Sequence, residues 1–182
     1  MALTNLGDLT DRDGDPDKTA LIDLQPGHTR EFSHGDMDHG AMAVARGLAA
    51  RGYHRGDRVA ILSANRAEFL LAYFGIMRAG LVAVPVNFKL PTDIIRYILE
   101  DSDAVMVFAD GGRRAACPDT LPVIQFGLEG TGGFDDFLDP GPFETLQPGS
   151  GDAAMFLYTS GSSGRPKGVP LSHESQLWAV RR

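Results

Sequence analysis

The stretch YTSGSSGRPKGV, residues 158–169, decides the fold of this chain and points to its chemistry. It directly continues the apolar run of residues 154–158, and it holds four Ser or Thr hydroxyls, three glycines and one lysine. Glycines let backbone N–H groups approach an anion, hydroxyls add uncharged donors, and Lys167 supplies a positive point charge. Residues 153–171 contain no Asp or Glu that would repel an anion. The stretch therefore predicts a phosphate-binding loop after a buried strand.

Two other interpretations of this stretch fit its residues less well. A Walker A loop requires the pattern G-x-x-x-x-G-K-[ST]. Counted from Gly161, Pro166 occupies the position of the second glycine, and Gly168 replaces the hydroxyl that would hold magnesium. A flexible Gly/Ser linker would seldom carry Pro-Lys-Gly-Val directly ahead of another apolar segment.

Five short aliphatic runs with little polar alternation lead up to this loop. Spacers of helix length separate the first three. Strands covered on both faces have this pattern, and helical crossovers join such strands into one parallel sheet. The predicted class is therefore α/β, a mostly parallel sheet with helical crossovers, in which Pro85 lies at a strand end or on an edge strand. The runs are residues 58–62, 81–86, 104–109, 122–126 and 154–158.

Three helices are predicted between the early strands, from apolar residues that recur at helical spacing. Ser33 and Asp36 are spaced as a capping pair at the start of the first helix, and Asn65 and Glu68 are spaced likewise before the second. The third helix is expected to begin near residue 91.

The ends of the chain differ from its middle. Residues 1–18 carry five aspartates and no apolar run, so we expect a flexible acidic N-terminal tail. Residues 19–33 contain a Gln-Pro-Gly-His turn between two short strands, which predicts a β-hairpin. The helix that starts at His173 reaches the last residue without a stop signal, and Trp178 within it is expected to be a core residue. We therefore expect residues 19–182 to be an incomplete N-terminal α/β domain that ends just after the phosphate-binding loop.

A long connection precedes the last strand. Residues 127–151 are rich in glycine and proline, with few apolar anchors. Such connections are often functional, and one helical turn is expected at residues 134–138.

Composition and charge exclude several classes of protein. The net charge of −7, without a block of Lys or Arg, argues against nucleic-acid binding. No apolar window is long enough for a membrane span. Cys117 is the single cysteine, which rules out an intramolecular disulfide and predicts a cytoplasmic protein. We interpret Cys117 as a plain loop residue and no metal site is predicted, since the cluster His34, Asp36, Asp38 and His39 fits a solvated helix start.

The stretch at residues 158–169 resembles the phosphate-binding signature of the adenylate-forming enzymes. These are the acyl-CoA synthetases, the adenylation domains of peptide synthetases and the luciferases. Ser163 departs from the usual threonine but keeps its hydroxyl. Residues 56–69 and 79–102 also resemble family segments, so the likeness runs from about residue 17 to residue 182. The matching positions of the signature are Tyr158, Thr159, Ser160, Gly161, Ser162, Gly164, Pro166, Lys167, Gly168, Val169, Ser172 and His173.

The resemblance implies a function and a set of site residues. It implies an ATP-dependent acid:CoA ligase, which uses ATP and Mg²⁺ to turn a fatty or aromatic acid into an acyl-adenylate and then passes the acyl group to CoA. The substrate carboxylate itself attacks the α-phosphorus, so no catalytic residue is expected within this chain. Tyr158 and His173 would support the phosphate-binding residues without contacting the phosphates themselves. The residues implied to bind the ATP phosphates are Thr159, Ser160, Gly161, Ser162, Ser163, Gly164 and Lys167.

Other functions stay open at this point. An adenylation domain of a peptide synthetase, a luciferase-like enzyme and a naturally short, non-catalytic nucleotide-binding module all agree with the residues. Family enzymes continue well beyond this loop, and the resemblance therefore implies that the 182-residue chain needs the remainder of such an enzyme for synthetase activity.

Overall fold

The strands and helices follow one another in nearly the order that the aliphatic runs and their spacers predict. A computed structural model of the chain describes residues 3–9, 14–159 and 164–180. The strands are β1 Thr19–Gln25, β2 His28–Ser33, β3 Arg58–Leu62, β4 Val82–Pro85, β5 Ala104–Asp110, β6 Val123–Phe126, β7 Ala153–Thr159 and β8 Lys167–Ser172. The α-helices are α1 His34–Ala50, α2 Ala67–Arg78, α3 Thr92–Asp101, α4 Phe134–Phe137 and α5 His173–Val180, and 3-10 helices span Leu6–Asp8 and Gly111–Ala116.

The main sheet has six strands in the order β6-β5-β3-β4-β7-β8. The pairs from β6 to β7 are parallel, while β8 runs antiparallel to β7, and β1 and β2 form a separate hairpin. The predicted α/β class, a mostly parallel sheet preceded by a hairpin, is confirmed. Strand β8 was not predicted, because Gly168 and Pro170 have low strand propensity and the segment is a strand by virtue of its pairing with β7.

Each face of the sheet is covered by its own apolar cluster. On β3, Val59 and Ile61 pack with α1 and α2, whereas Ala60 and Leu62 pack with α3. The alternation follows from the two-residue period of a strand. The chain passes from β3 to β4 and then back across β3 to β5, so right-handed crossovers place α2 and α3 on opposite faces.

Of the two predicted helix caps, the one at α1 is present and the one at α2 is not. At α1, Ser33 Oγ accepts from the Asp36 N–H at 3.1 Å and Asp36 Oδ2 accepts from the Ser33 N–H at 2.9 Å, which confirms the capping box. The box predicted from Asn65 and Glu68 is wrong, because α2 begins without a side-chain cap. Glu68 instead accepts hydrogen bonds from Arg30 at 2.6 Å and from Arg66 at 2.8 Å.

Arg30 binds the hairpin to the start of α2. Arg30 of β2 also pairs with Asp23 of β1 at 2.5 Å. Burial alone would raise the pKa of Glu68, but the hydrogen bonds from Arg30 and Arg66 outweigh it and lower that pKa to about 2. Glu68 is therefore ionised at any pH at which the protein is used.

The tail predicted for residues 1–18 is wrong over residues 3–9, which are packed against the body of the protein. Leu6 is buried, and the fully buried Asn5 donates to the carbonyl oxygens of Met77 at 2.9 Å and Leu146 at 2.8 Å. The sequence of residues 3–9 does not reveal these contacts, because the two carbonyl partners of Asn5 lie 72 and 141 residues away in the chain. Residues 14–18 are exposed, and residues 10–13 lie outside the described part of the chain.

Arg78, at the end of α2, is fully buried and joins the N-terminal segment to α1. Its guanidinium pairs with Asp8 at 3.2 Å and with Asp38 at 2.6 Å, and it donates to the Gly7 carbonyl oxygen at 2.8 Å. A buried charge must be paired in this way to be tolerated. Asp36 and Asp38 are thus a cap and an ion-pair partner. Across the described ranges, no group of three or more His, Cys, Asp or Glu side chains is placed to hold a metal ion.

Helix α4 confirms one prediction, and helix α5 corrects another. The helical turn expected at residues 134–138 is α4, and its Phe134 and Phe137 are buried against Phe108. Trp178 is 59% exposed, so its predicted core position is wrong, and the buried residues of α5 are His173 and Leu177. None of the helices described is long and apolar enough to cross a membrane.

Candidate functional site

The glycine-rich loop lies at the carboxyl end of β7, between β7 and β8. Thr159 and Lys167 face each other across this strand pair as its last matched residues, so they close the base of the loop. The carboxyl ends of β3 to β6 point to the same edge of the sheet, because β7 is parallel to them. In open α/β sheets this edge is where ligands bind.

Three of the predicted phosphate-binding residues lie in the described part of the chain, and two of them, Thr159 and Lys167, are paired across β7 and β8. Thr159 and Lys167 are exposed, and Gly164 has φ +93°, a backbone conformation that favours glycine. Within the described ranges, Lys167 pairs with no carboxylate. Ser160, Gly161, Ser162 and Ser163, also predicted to bind phosphate, lie outside the described residues.

Tyr158 supports the loop from the sheet, next to Thr159. Its hydroxyl donates to Asp101 Oδ2 of α3 at 2.8 Å. Burial and then this hydrogen bond to an anion raise the pKa of Tyr158, so the phenol stays protonated. Gly168 is the residue opposite Tyr158 on β8.

Three residues near the loop were missed by the sequence analysis as site residues. Asp101 and Tyr97 of α3 are joined by a hydrogen bond of 3.1 Å from the phenol to Oδ1, and the Arg165 guanidinium lies 5.0 Å from the centre of the Tyr97 ring. The one available signal is the spacing of four between Tyr97 and Asp101, which places both side chains on one helix face. That spacing does not reveal their contact with the loop.

His173 lies at the other end of β8 from Lys167. The six residues of β8 span about 20 Å, so His173 does not reach the loop. It is 4% exposed, and its Nδ1 accepts from the Leu6 N–H at 3.0 Å. Burial lowers the pKa of His173, although Asp152 acts in the opposite direction. The structure therefore places His173 at the contact between α5 and the N-terminal segment.

A cavity of about 540 Å³ opens at the amino end of the sheet, and Asp101 is among its lining residues. Two pairs of its charged residues bind each other, since Arg55 binds Asp152 and Arg58 binds Asp103 at 3.2 Å. It has neither hydroxyls and glycines in a run nor a lysine. The glycine-rich loop is the better candidate for an oligophosphate.

Comparison with known proteins identifies a family and several similar proteins. A sequence model of the family described as AMP-binding enzyme matches residues 10–182. A mycosubtilin synthase protein of Bacillus subtilis is 32% identical over 162 residues, which are 89% of this chain and 6% of that protein. The long-chain-fatty-acid–CoA ligase FadD15 of Mycobacterium bovis is 30% identical over 185 residues, covering 92% of this chain and 30% of that protein.

A solved structure is similar over almost the whole chain. It is the anthranilate CoA ligase AuaEII in complex with anthranoyl-AMP, with a TM-score of 0.81 and 29% sequence identity. The match covers 97% of this chain and 36% of that one. The chain thus spans well under half the length of each of these three proteins.

Proposed function

The chain belongs to the AMP-binding enzyme family, and from this premise we propose that it forms the phosphate-binding part of an ATP-dependent acid:CoA ligase. The observation that carries the proposal is the pairing of Thr159 with Lys167 at the carboxyl edge of the sheet. The loop closed by this pair is rich in donors, and residues 153–171 hold no Asp or Glu.

The proposed reaction has two steps. The carboxylate of the acid attacks the α-phosphorus of ATP, an acyl-adenylate forms and pyrophosphate leaves. The CoA thiol then takes the acyl group and AMP is released. Neither step needs a nucleophile from the protein, so the task of this chain is to align the triphosphate and to offset the charge on the departing pyrophosphate.

We propose specific tasks for the loop residues. Thr159, Ser160, Ser162 and Ser163 offer hydroxyl donors to the β- and γ-phosphates. Gly161 and Gly164 allow the backbone N–H groups to approach the same oxygens. Lys167, exposed beside Thr159, supplies the positive charge.

The donor set of the loop fits an oligophosphate better than a bare metal ion. Hydroxyls, amides and one ammonium group are donors, whereas Mg²⁺ needs oxygen ligands, above all carboxylates and phosphates. We propose that Mg²⁺ arrives bound to the ATP phosphates and neutralises part of their charge. Residues 153–171 contribute no carboxylate ligand to it.

The acid and the acceptor belong to the proposal as well. A fatty or aromatic acid is favoured because FadD15 and AuaEII are named as ligases of such acids. An adenylation domain of a peptide synthetase is the second candidate, favoured by the similarity to the mycosubtilin synthase protein. We propose that parts of the enzyme beyond residues 1–182 contact the acid and CoA, and that the enzyme acts in the cytoplasm.

The proposal is tested by ATP–pyrophosphate exchange. The complete gene product that carries residues 1–182 is assayed with long-chain fatty acids, aromatic acids and amino acids. Exchange with a fatty or aromatic acid is expected, and Lys167→Ala should lower its rate by about 100-fold, as the loss of a donor to a developing charge does.

Lys18→Ala is the matched control, because Lys18 is an exposed lysine before β1. This control should keep the exchange rate of the unaltered protein. Undiminished exchange in Lys167→Ala would contradict the assignment of the loop. Exchange with amino acids alone would favour the adenylation domain. ATP binding without exchange for any acid would favour a non-catalytic nucleotide-binding module.

A further inference from the structure

Both limbs of the glycine-rich loop contact one helix, α3, and these contacts converge on one carboxylate. Before the loop, the Tyr158 hydroxyl donates to Asp101 Oδ2 at 2.8 Å. After the loop, the Arg165 guanidinium lies over the ring of Tyr97, whose hydroxyl donates to Asp101 Oδ1 at 3.1 Å. Asp101 thus accepts two phenol hydrogen bonds at once, one from Tyr158 of β7 and one from Tyr97 of its own helix, and the second phenol carries the Arg165 contact.

Asp101 occupies a position where a carboxylate is otherwise unfavourable. It is the last residue of α3, at the negative end of the helix dipole, and Glu100 precedes it. Two phenol donors to an anion offset this cost, because hydrogen bonds with a charged partner are stronger than neutral ones. The two phenol hydrogen bonds therefore account for a carboxylate at position 101, since the carboxylate does not stabilise the end of the helix.

Gly168 leaves room for the Tyr158 ring beside β8. A Cβ atom at position 168 would lie 3.0 Å from Tyr158 Cζ and 3.1 Å from its hydroxyl oxygen. The ring therefore lies close to the backbone of β8, and any larger residue at position 168 would require the ring to shift by a few tenths of an ångström. From there its hydroxyl reaches α3.

We propose that Asp101 is a positioning residue for the phosphate-binding loop. It holds Tyr158 directly and Arg165 through Tyr97, so it fixes both limbs of the loop against α3. Donors held in place before ATP binds do not have to be ordered by it. This inference rests on the proposed function, since its effect is on the binding of ATP.

The test compares Asp101→Asn with the unaltered protein in the complete gene product. Asparagine keeps the shape of the side chain but has an NH2 donor in place of one acceptor oxygen and carries no charge, so one phenol can no longer donate to the atom that it faces. The KM for ATP should rise about tenfold, the size expected for one hydrogen bond to a charged group. The KM for the acid should stay the same. Hydrogen exchange should be faster at the amides of Thr159, Arg165 and Lys167.

Glu100→Gln is the matched control, since it removes an exposed carboxylate from the same last turn of α3. The control should leave both the KM for ATP and the exchange rates unchanged. Unchanged values in Asp101→Asn would overturn the proposal, and so would an equal rise in the KM values for ATP and for the acid. If the unaltered protein activates no acid, the proposed function fails. The exchange rates then still decide whether Asp101 holds the loop.

Discussion

At the scale of a single residue, the hydrogen bond from the Leu6 N–H to His173 depends on one proton. A neutral imidazole can keep a lone pair on Nδ1, whereas an imidazolium has a hydrogen on each nitrogen and cannot accept. The bond of 3.0 Å is buried. Protonation of His173 therefore leaves a buried N–H group without its acceptor, which costs about 1–3 kcal/mol.

We predict that the protein loses stability as the pH falls below 6.5, the ordinary pKa of histidine, and that His173 causes part of this loss. Above that pH the imidazole is neutral in both the folded and the unfolded state. Below it, the unfolded chain takes up a proton that the folded protein resists, because burial lowers the pKa of His173. Urea unfolding between pH 7.5 and pH 5 measures the slope.

His173→Asn is the comparison, since the Asn side-chain oxygen can accept from the Leu6 N–H at any pH. The variant should show a smaller loss of unfolding free energy over the same range. Equal slopes in the two proteins would show that the Leu6–His173 bond has no part in the pH dependence.

At the scale of helices and strands, α1 and α2 are in close contact at Gly75. A Cβ atom there would lie 2.5 Å from Val44 Cβ and 2.8 Å from the Ala41 carbonyl oxygen. Alanine is the better helix former by about 1 kcal/mol. Here, however, the clash is with the body of the facing helix, which cannot rotate away as a long side chain can.

Gly75→Ala is therefore predicted to lower the free energy of unfolding by about 1–3 kcal/mol, the usual cost of overpacking a core. The midpoint of urea unfolding measures the change. Gly112→Ala is the control, because nothing lies within 4 Å of a Cβ atom built at Gly112. The control should be neutral or slightly more stable. A stabilised Gly75→Ala protein would mean that helix propensity outweighs the contact.

The helices and strands also show which contacts could be predicted from sequence patterns. The α1 cap was predictable because Ser33 and Asp36 interact with each other three residues apart. The proposed α2 cap failed because the hairpin brings Arg30 to Glu68 from 38 residues away. Similarly, the composition of the loop revealed Thr159 and Lys167, but the contact between Asp101 and Tyr158 spans 57 residues. Sequence patterns over a few residues do not predict contacts between residues so far apart in the chain.

At the scale of the whole molecule, the N-terminal segment ties together parts of the protein that are distant in sequence. Asn5 donates to carbonyl oxygens of α2 and of the long connection before β7, and it accepts from the Gly7 N–H at 2.8 Å. Asn5→Ala is predicted to lower the free energy of unfolding by about 2–4 kcal/mol, because it leaves several buried polar groups unsatisfied. Calorimetric or urea unfolding measures this loss.

Thr4→Ala is the neighbouring control, since Thr4 makes an exposed side-chain hydrogen bond to Gln147. Its effect should stay within about 0.5 kcal/mol. Similar stabilities for the two variants would mean that residues 3–9 contribute little to the fold.

The two outer strands of the main sheet have a consequence for the protein at high concentration. An outer strand with free backbone groups can recruit a strand of a neighbouring molecule and start an open-ended polymer. On one side, the Gln125 N–H of β6 is already bound by the Gly132 carbonyl oxygen at 2.8 Å. On the other, Pro170 interrupts β8 with a residue that has no N–H to donate. Both edge strands thus offer fewer free N–H groups to a neighbouring molecule. We therefore expect concentrated solutions to resist aggregation by strand pairing between molecules.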